Sequence, residues 1–542
     1  MISELASDST VYSAFLAAEA PFAQRPFLRA PAIATRACSG TAVEYTYAAA
    51  RREVDRLAAG YLALGIGAGD RVALAFDSRL DVYLHLLSLS AVGASAVPLN
   101  TDGSDDEILY VIRHSDARLI TGADEHLGRL QRLARQVENV LVVAAGDTRS
   151  DAGPILTGGN AASEVALLYT SGTTGKPKGC MLSKEYFLTM GREYNRLGGL
   201  CAIDAGDRLL TPLPPNHMNA LSTSFMAMML CGGCVIQLDR FHPASWWQTV
   251  RDEAATIIHY LGVMPAILLK LPAGKDEDFS GRVKFGFGAG SDPRHQQIFE
   301  QRFGFPLIEA WAMTETGAAG MIVAHQEPRH VGQRCFGRPQ DYVELRIVDE
   351  AGQDLEPGQD GELLVRRRGA DPRKGFFSGY YKDPEATQEA WRGGWLHTGD
   401  VVRQEPDGSM FFVDRRKNVI RRSGENIAAV EVEAVLLELD GILNCAVTAV
   451  PDELRGDEVL ALVVAHQGAE NTEDLAQQIF QHCMQSLAYY KAPGYIAFVD
   501  EIPLTASNKV SRLEVRKRAL EYVKSGQALD LRAGKKRPRV SP

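Results

Sequence analysis

Tyr169-Thr170-Ser171-Gly172-Thr173-Thr174-Gly175-Lys176-Pro177-Lys178-Gly179 is the segment around which the chain is organised. It follows Val165-Ala166-Leu167-Leu168, a short apolar run that indicates a buried strand. Glycines let the backbone approach a ligand closely, and the hydroxyls and lysines surround it with hydrogen-bond donors and positive charge. The segment therefore predicts a loop that holds polyphosphate, and a flexible polar surface loop is the alternative.

This segment departs from the P-loop, which needs a glycine, four residues and then Gly-Lys-Ser/Thr. Here Pro177 follows Gly175-Lys176, and Thr170 stands where the first glycine would be. Pro177 also has no backbone N–H to offer. The string instead resembles the phosphate loop of the adenylate-forming superfamily, which comprises acyl-CoA synthetases, adenylation domains of peptide synthetases, and luciferases.

Composition limits the class of protein. With 542 residues, 45% of them hydrophobic and 23% charged, the chain is expected to be globular, with two or more domains. The net charge of −10 argues against nucleic acid as the main partner. The segment 1–5 lacks the pattern of a signal peptide, and no apolar run is long enough to cross a membrane. We therefore expect a cytoplasmic protein without membrane insertion.

A pair of cysteines and a basic C-terminal segment each allow two interpretations. Cys231-Gly232-Gly233-Cys234 is the only close pair among eight cysteines, so small residues entering a strand are favoured over a zinc site. The segment 531–542 is basic, and a disordered, solvated tail is favoured over a site for an anionic partner.

Alternating helix and strand signals predict an α/β fold in which helices cover both faces of a mostly parallel sheet. An irregular lead-in of about 45 residues, with one helical piece at 11–18, precedes this pattern. From Val343 onward, short strands separated by turns predict an antiparallel, hairpin-rich subdomain. Beyond the basic turn at 414–418, a small α+β domain is expected, with no carrier-protein segment after it. The predicted units are an N-terminal domain 1–415 with its β-rich subdomain at about 335–415, a C-terminal domain 416–530 and a tail 531–542.

Further motifs extend the resemblance along the chain. Gly286-Phe287-Gly288-Ala289-Gly290 is not a dinucleotide fingerprint, because Ser291 stands where the third glycine would be. Ala310-Trp311-Ala312-Met313-Thr314-Glu315 matches a strand-end motif of the superfamily, although most members have Tyr-Gly in place of Trp311-Ala312. Gly393–Asp400, Asp414-Arg415 and Thr505–Lys509 match three more, with Asn508 in place of a glycine.

The resemblance implies roles for single residues. Trp311 would present its π-face near adenine, and Asp400 would accept from both ribose hydroxyls. Arg415, with its fixed charge, would contact ribose and phosphate. The catalytic set comprises Lys509, which would bridge the carboxylate and the α-phosphate, Glu315 and Thr170, which would hold Mg²⁺, and Lys417 at the hinge between domains.

Three sets of binding residues follow from the same resemblance. ATP and AMP would be bound by Thr170, Ser171, Gly172, Thr173, Thr174, Gly175, Lys178, Gly288, Ala289, Gly290, Ala310, Trp311, Ala312, Met313, Thr314, Asp400, Arg415 and Lys509. The acyl substrate would be bound by His217, Asn219, Leu261, Gly262, Val263, Met264, Phe287, Gly288, Trp311, Ala312 and Gly317, with 318–321 as further candidate walls. Coenzyme A would be bound by Arg422, Ser423, Gly424 and Glu425, although Arg422 could also be merely solvated.

The chain is most similar to stand-alone acid–CoA ligases of the crotonobetaine/carnitine–CoA ligase type. This resemblance implies a two-step reaction through an acyl-adenylate, with ATP, Mg²⁺ and coenzyme A, and a rotation of the small domain between the steps. The bulk of Trp311 and Met264 disfavours a long alkyl chain, so a short or medium, polar, dicarboxylic or aryl acid is expected. His217, Asn219 or Arg294 could meet its second polar group.

Two other functions remain open from the sequence. One is a stand-alone adenylating enzyme that loads a carrier protein, and the other is a non-enzymatic nucleotide-binding protein on the same fold. The presence of Lys509 and Glu315 argues against the second. The resemblance leaves open whether the protein forms a homodimer.

Overall fold

The structure is a computed structural model that describes most of the chain. The described residues are 9–32, 41–77, 79–150, 164–170, 177–272, 274, 277–415, 419–422, 425–452, 455–466, 472–504 and 510–535. Across these residues, no helix combines the length and the apolar character that a bilayer span requires.

Helices and strands alternate along the first 311 residues. The elements up to the predicted phosphate loop are α1 (Val11–Phe22), β1 (Pro26–Ala30), β2 (Val43–Thr46), α2 (Tyr47–Ala63), β3 (Arg71–Ala75), α3 (Asp81–Val92), β4 (Ser95–Pro98), α4 (Asp105–Ser115), β5 (Leu119–Gly122), α5 (Asp124–Ala134), β6 (Leu141–Ala144) and β7 (Glu164–Thr170). The elements that follow the loop are β8 (Lys178–Ser183), α6 (Lys184–Arg196), β9 (Arg208–Thr211), α7 (Phe225–Cys231), β10 (Cys234–Gln237), α8 (Trp246–Asp252), β11 (Ile257–Leu261), α9 (Val263–Lys270), β12 (Phe285–Ala289), α10 (Pro293–Phe303) and β13 (Leu307–Trp311).

Strands dominate the next hundred residues, and a mixture of both element types follows. The first group is β14 (Ile322–Val323), β15 (Cys335–Pro339), β16 (Val343–Val348), β17 (Asp360–Arg367), β18 (Gly379–Tyr380), α11 (Pro384–Ala390), β19 (Leu396–Gln404) and β20 (Met410–Arg415). The second group is β21 (Val419–Arg422), β22 (Glu425–Ala428), α12 (Ala429–Leu436), β23 (Ile442–Asp452), β24 (Gly456–Ala465), α13 (Thr472–Ser486), β25 (Tyr495–Phe498), α14 (Arg512–Lys524) and β26 (Leu529–Asp530).

Two large sheets form the body of the N-terminal part. The seven-stranded sheet has the order β18-β8-β7-β4-β3-β5-β6, and the strands from β7 to β6 are parallel neighbours. Every residue of β4 is buried, as are residues 82–92 of helix α3. Such continuous burial is what a parallel sheet covered by helices requires, so the predicted α/β architecture is confirmed.

The thirteen-stranded sheet has the order β16-β17-β19-β20-β15-β14-β13-β12-β11-β9-β10-β1-β2. Its strands are parallel from β13 to β1 and antiparallel from β14 to β16. The antiparallel, hairpin-rich character predicted from Val343 onward is therefore correct. These hairpins extend the parallel sheet through the short strand β14, so the two parts share one sheet.

The C-terminal part has its own sheet and its own core. Strands β22, β21, β24, β25 and β26 follow in that order, with β23 paired to β24. One apolar cluster lies under helices α12 and α13 and another under α14. This α+β arrangement is the one that the sequence predicted.

Two predictions about the ends of the chain need correction. The lead-in contains strands β1 and β2, and α1 continues to Phe22, because β1 pairs with β10 from the middle of the chain. The first residues of the predicted solvated tail are packed: the Leu531 amide donates to Gly494 O at 2.9 Å, and the Lys535 side chain is fully buried. Residues 536–542 lie outside the described residues.

Cys231 and Cys234 are buried where α7 ends and β10 begins. Burial raises the pKa of both thiols to about 12, which suits packing residues rather than thiolate ligands.

Candidate active site

The carboxyl ends of β9, β11, β12 and β13 meet at one edge of the larger sheet. In open α/β sheets, ligands bind outside this edge. Glycines let the backbones pass very closely here: a Cβ atom on Gly262 would lie 1.7 Å from Gly290 O, and one on Gly288 would lie 2.4 Å from Tyr260 O. Any larger residue at Gly262 or Gly288 would force these segments apart.

Asp400 is a buried carboxylate held between an indole donor and a guanidinium at this edge. Trp311 donates its indole N–H to Asp400 Oδ2 at 2.9 Å, and Arg415 Nε lies 3.1 Å from Asp400 Oδ1. Asp400 and Arg415 face each other across strands β19 and β20, and Trp311 ends β13. The structure thus brings together three residues that the sequence assigned to the nucleoside. Their contacts with ribose and adenine stay predictions.

Glu315 lies beside the hairpin that carries the predicted phosphate loop. The Tyr380 hydroxyl donates to Glu315 Oε1 at 2.8 Å, and Tyr380 is paired with Cys180 between β18 and β8. Thr170 and Lys178 face each other across β7 and β8, at the two ends of the loop. Lys178 Nζ lies 4.9 Å from the centre of the Tyr380 ring. The Glu315 carboxylate and the Lys178 side chain therefore both lie next to Tyr380, close to the residues that flank the predicted phosphate loop.

The chemistry of Glu315 fits an Mg²⁺ ligand. Burial is the main cause that raises the pKa of Tyr380, and the negative charge of Glu315 is the second. The phenol therefore keeps its proton and donates it to the Glu315 carboxylate. Mg²⁺ in nucleotide sites is bound by one or two carboxylates and by phosphate oxygens. Glu315, together with the Thr170 hydroxyl at the end of β7, suits that role, which stays a prediction.

Tyr380 is the residue of this site that sequence reasoning missed. It lies 65 positions after Glu315, and the pairing of β18 with β8 brings it there. The one available signal was the string Gly379-Tyr380-Tyr381, two aromatic residues directly after a glycine.

Six of the residues predicted to bind the acyl group lie at the same edge of the sheet, and the others lie in neighbouring segments or in the core. The residues at or just beyond the strand ends are Leu261, Gly262, Phe287, Gly288, Trp311 and Ala312. His217 is exposed and Asn219 is half-buried in the segment after β9, and Gly317 packs against Tyr186. Val263 is 60% exposed, whereas Met264 is buried in the apolar core beneath the edge.

Arg294, another candidate for the second polar group of the acid, is already paired within the protein, and its contact with the acid stays a prediction. Its guanidinium is engaged by Asp292, with Nη2 2.7 Å from Oδ2, and it also donates to Ala434 O at 3.1 Å.

Arg422 contradicts the predicted contact with coenzyme A. Its side chain is 1% exposed, and its Nε donates to the fully buried Glu458 carboxylate at 2.8 Å. Lys535 Nζ lies 2.6 Å from the same carboxylate. Arg422 therefore belongs to a buried charge cluster inside the C-terminal core, where it cannot reach a phosphate.

Several predicted site residues lie outside the described part of the chain. These are Ser171, Gly172, Thr173, Thr174, Gly175, Lys417, Ser423, Gly424 and Lys509. Their predicted roles stay predictions.

Replacing Trp311 by phenylalanine is expected to raise the KM for ATP about tenfold, which is the effect of losing one hydrogen bond to a charged group. The aromatic face remains, but Asp400 loses the indole donor. The measurement is the KM for ATP in acid-dependent AMP formation. Trp247→Phe is the matched control, because the buried Trp247 Nε1 has no hydrogen-bond partner among the described residues. An unchanged KM in Trp311→Phe would contradict the role of this hydrogen bond.

Comparison with known proteins shows the family. The sequence model of the AMP-binding enzymes matches residues 22–381, and that of the AMP-binding enzyme C-terminal domain matches residues 431–509. The chain is 31% identical to sulfoacetate–CoA ligase of Cupriavidus necator, covering 92% of this chain and 95% of that protein. It is 28% identical to crotonobetaine/carnitine–CoA ligase of Citrobacter koseri, covering 88% of this chain and 94% of the relative.

Solved structures share the fold. The o-succinylbenzoate CoA synthetase from Bacillus subtilis, in complex with its acyl-adenylate intermediate, matches with a TM-score of 0.80 at 23% identity. That match covers 94% of this chain and 98% of the other. An anthranilate CoA ligase in complex with anthranoyl-AMP matches with a TM-score of 0.83 at 21% identity, covering 96% and 99% of the two chains.

Proposed function

The chain belongs to the AMP-binding enzyme family, and from this premise we propose that it is an ATP-dependent carboxylic acid–CoA ligase. It joins an acid to coenzyme A and converts ATP into AMP and diphosphate, through an acyl-adenylate. The observation that supports this most strongly is the buried Asp400, held by Trp311 and Arg415 at the carboxyl edge of the sheet. The Cupriavidus necator relative, whose name gives the same reaction class, agrees with it.

In the first half-reaction a carboxylate oxygen of the acid attacks the α-phosphorus of ATP. The bond from the α-phosphorus to the bridging oxygen breaks, and diphosphate leaves. Both reactants are anions, so the site must supply positive charge where they meet. Lys178, beside the loop at 171–176, and Lys509 provide it. Glu315 and Thr170 are the residues suited to hold Mg²⁺, which when bound supplies further positive charge to the phosphates.

In the second half-reaction the sulfur of coenzyme A attacks the acyl carbon, and AMP leaves. We assign the first step to one orientation of the domain at 416–530 and the second to another, with Lys417 at the hinge. The rotation withdraws Lys509 and brings in Ser423, Gly424 and Glu425. Arg422, buried against Glu458, moves with the domain as part of its core.

The acid is proposed to be short and polar. The bulk of Trp311 at the end of β13 disfavours a long chain, and the half-buried Asn219 offers a polar group at the same edge. The names of the relatives, which specify sulfoacetate and crotonobetaine or carnitine, point the same way.

A panel of carboxylic acids, assayed for AMP formation with and without free coenzyme A, tests this function. At least one short polar acid is expected to give stoichiometric AMP, diphosphate and acyl-CoA. Formation of acyl-adenylate without acyl-CoA, followed by transfer to a carrier-protein arm, would instead identify a carrier-loading enzyme. No acid-dependent AMP formation with any acid would overturn the proposal.

A further inference from the structure

A buried chain of polar side chains leads from the core to the proposed acyl site. The Tyr194 hydroxyl on α6 lies 2.9 Å from His259 Nε2 on β11. His259 Nδ1 lies 2.8 Å from Asn219 Oδ1 and 2.9 Å from Ser224 Oγ, the first and last residues of a π-helical segment, Asn219–Ser224, that precedes α7. Tyr194, His259 and Ser224 are fully buried, whereas Asn219 is half-buried. Phe287 stacks on the imidazole with 5.2 Å between the ring centres, which holds the ring in place.

The Tyr194 hydroxyl determines which nitrogen of His259 carries the proton. Burial lowers the pKa of His259 to about 3, so the ring is neutral near pH 7 and has one N–H and one lone pair. Within the described part of the chain, the only hydrogen bond of the Tyr194 hydroxyl is the one with His259 Nε2. A buried hydroxyl donates its proton when an acceptor is in reach. Nε2 is therefore the acceptor, and Nδ1 carries the hydrogen.

This tautomer fixes the orientation of the Asn219 amide. Because Nδ1 donates, the atom of Asn219 that faces it must be the carbonyl oxygen. Ser224 can donate to the Asn219 backbone carbonyl at 3.1 Å and still accept from Nδ1. The NH₂ group of Asn219 then lies on the side of the amide away from His259, and it makes no hydrogen bond to the described residues.

We infer that Tyr194 and His259 are positioning residues that hold the Asn219 amide as a hydrogen-bond donor toward the distal group of the acid substrate. The inference rests on the proposed function, since Asn219 begins the π-helical segment Asn219–Ser224, at the edge where the acid is proposed to bind. The substrate is then an acid whose far end carries an acceptor, such as a sulfonate, a carboxylate or a carbonyl oxygen. A neutral hydrogen-bond donor selects for an acceptor and gives no advantage to an apolar end.

Two pairs of acids with matched shapes test this selection. Sulfoacetate and 3,3-dimethylbutyrate differ by three oxygens for three methyl groups, and 4-oxopentanoate and 4-methylpentanoate differ by a carbonyl oxygen for a methyl group. The discrimination ratio is kcat/KM for the acceptor acid divided by that for its apolar partner, measured by acid-dependent AMP formation. The unaltered enzyme is expected to favour the acceptor acid at least tenfold in at least one pair, the order of one hydrogen bond.

Three variants then trace the selection to the buried chain. Asn219→Asp keeps an oxygen toward His259 but removes the outward donor, and it should lower the ratio for sulfoacetate about 10- to 100-fold. Tyr194→Phe removes the hydroxyl that fixes the His259 tautomer, so the Asn219 side-chain amide is free to flip. The discrimination ratio should then fall about fivefold or more, which is the effect of losing a weak hydrogen bond. Tyr83→Phe is the matched control, because it also removes a buried hydroxyl, which donates to Gln237 Oε1 at 2.7 Å. Its ratio should not change.

The outcomes separate this inference from the proposed function. If no acid supports AMP formation, the proposed function fails. If acids are activated but the unaltered enzyme does not distinguish the partners of either pair, or prefers the apolar ones, the inference fails while the function stands. Equal ratios in Tyr194→Phe and Tyr83→Phe would show that the buried chain only stabilises the core, and they would also overturn it.

Discussion

Replacing Lys509 by alanine is expected to lower acyl-adenylate formation by at least about 100-fold while leaving thioester formation from supplied acyl-adenylate nearly unchanged. The acid and the α-phosphate are both negative, and Lys509 is the cation assigned to the place where they meet. After the proposed rotation it has left the site, so the second step does not depend on it. The two half-reactions are measured separately, as diphosphate release without coenzyme A and as consumption of added acyl-adenylate with coenzyme A.

Lys491→Ala is the control for this experiment. Lys491 is a lysine of the same domain, and its Nζ lies 2.6 Å from Glu431 Oε1. Both half-reactions should survive its loss. If Lys509→Ala instead impairs both half-reactions to the same extent, the assignment of the two steps to two domain orientations is wrong.

Replacing Glu458 by glutamine is expected to cost about 3–5 kcal/mol in the free energy of unfolding of the C-terminal part. Glu458 is fully buried and is the shared partner of Arg422 Nε at 2.8 Å and Lys535 Nζ at 2.6 Å. Glutamine has nearly the same shape but no charge, so the variant buries two cations without a carboxylate. Burial already lowers the pKa of Lys535 to about 8, which shows how strongly this environment disfavours a positive charge.

Denaturant unfolding of the purified chain measures the effect. Glu438→Gln is the matched control, since Glu438 is 43% exposed and pairs with His482 on the surface of the same part of the chain. Its cost should stay below about 1 kcal/mol. The double variant Glu458→Gln/Lys535→Met should recover part of the loss, because it removes one of the two unneutralised cations. A Glu458→Gln variant as stable as the control would contradict the proposed role of the cluster.

The sequence predicted the strand that precedes the phosphate-loop segment, because the apolar run 165–168 indicates a buried strand, and β7 confirms it. The motif Ala310–Glu315 begins in β13 and runs past its end, and the predicted phosphate loop falls between β7 and β8; its role stays a prediction. The hydrogen bond from Trp311 to Asp400 could not be predicted, because the two residues lie 89 positions apart and meet through sheet pairing. The same holds for Tyr380, which reaches Glu315 through the pairing of β18 with β8.

The charge of a side chain was the least reliable guide to whether it lies on the surface or in the core. Arg422 was predicted to face coenzyme A and Lys535 to be solvated, yet both are buried around Glu458. Long-range ion pairs of this kind leave no local pattern in the sequence, since the partners lie 36 and 77 positions apart. A lone basic residue is typical of the surface, and only the fold reveals the carboxylate that permits its burial.

The fate of the carboxylate oxygens tests the central claim most directly. The acid that the panel identifies is labelled with oxygen-18 in its carboxylate and converted to acyl-CoA, and the products are analysed by mass spectrometry. Attack of the carboxylate on the α-phosphorus predicts that one labelled oxygen appears in AMP and none in diphosphate. Label in diphosphate or orthophosphate, or AMP without label, would contradict an acyl-adenylate intermediate.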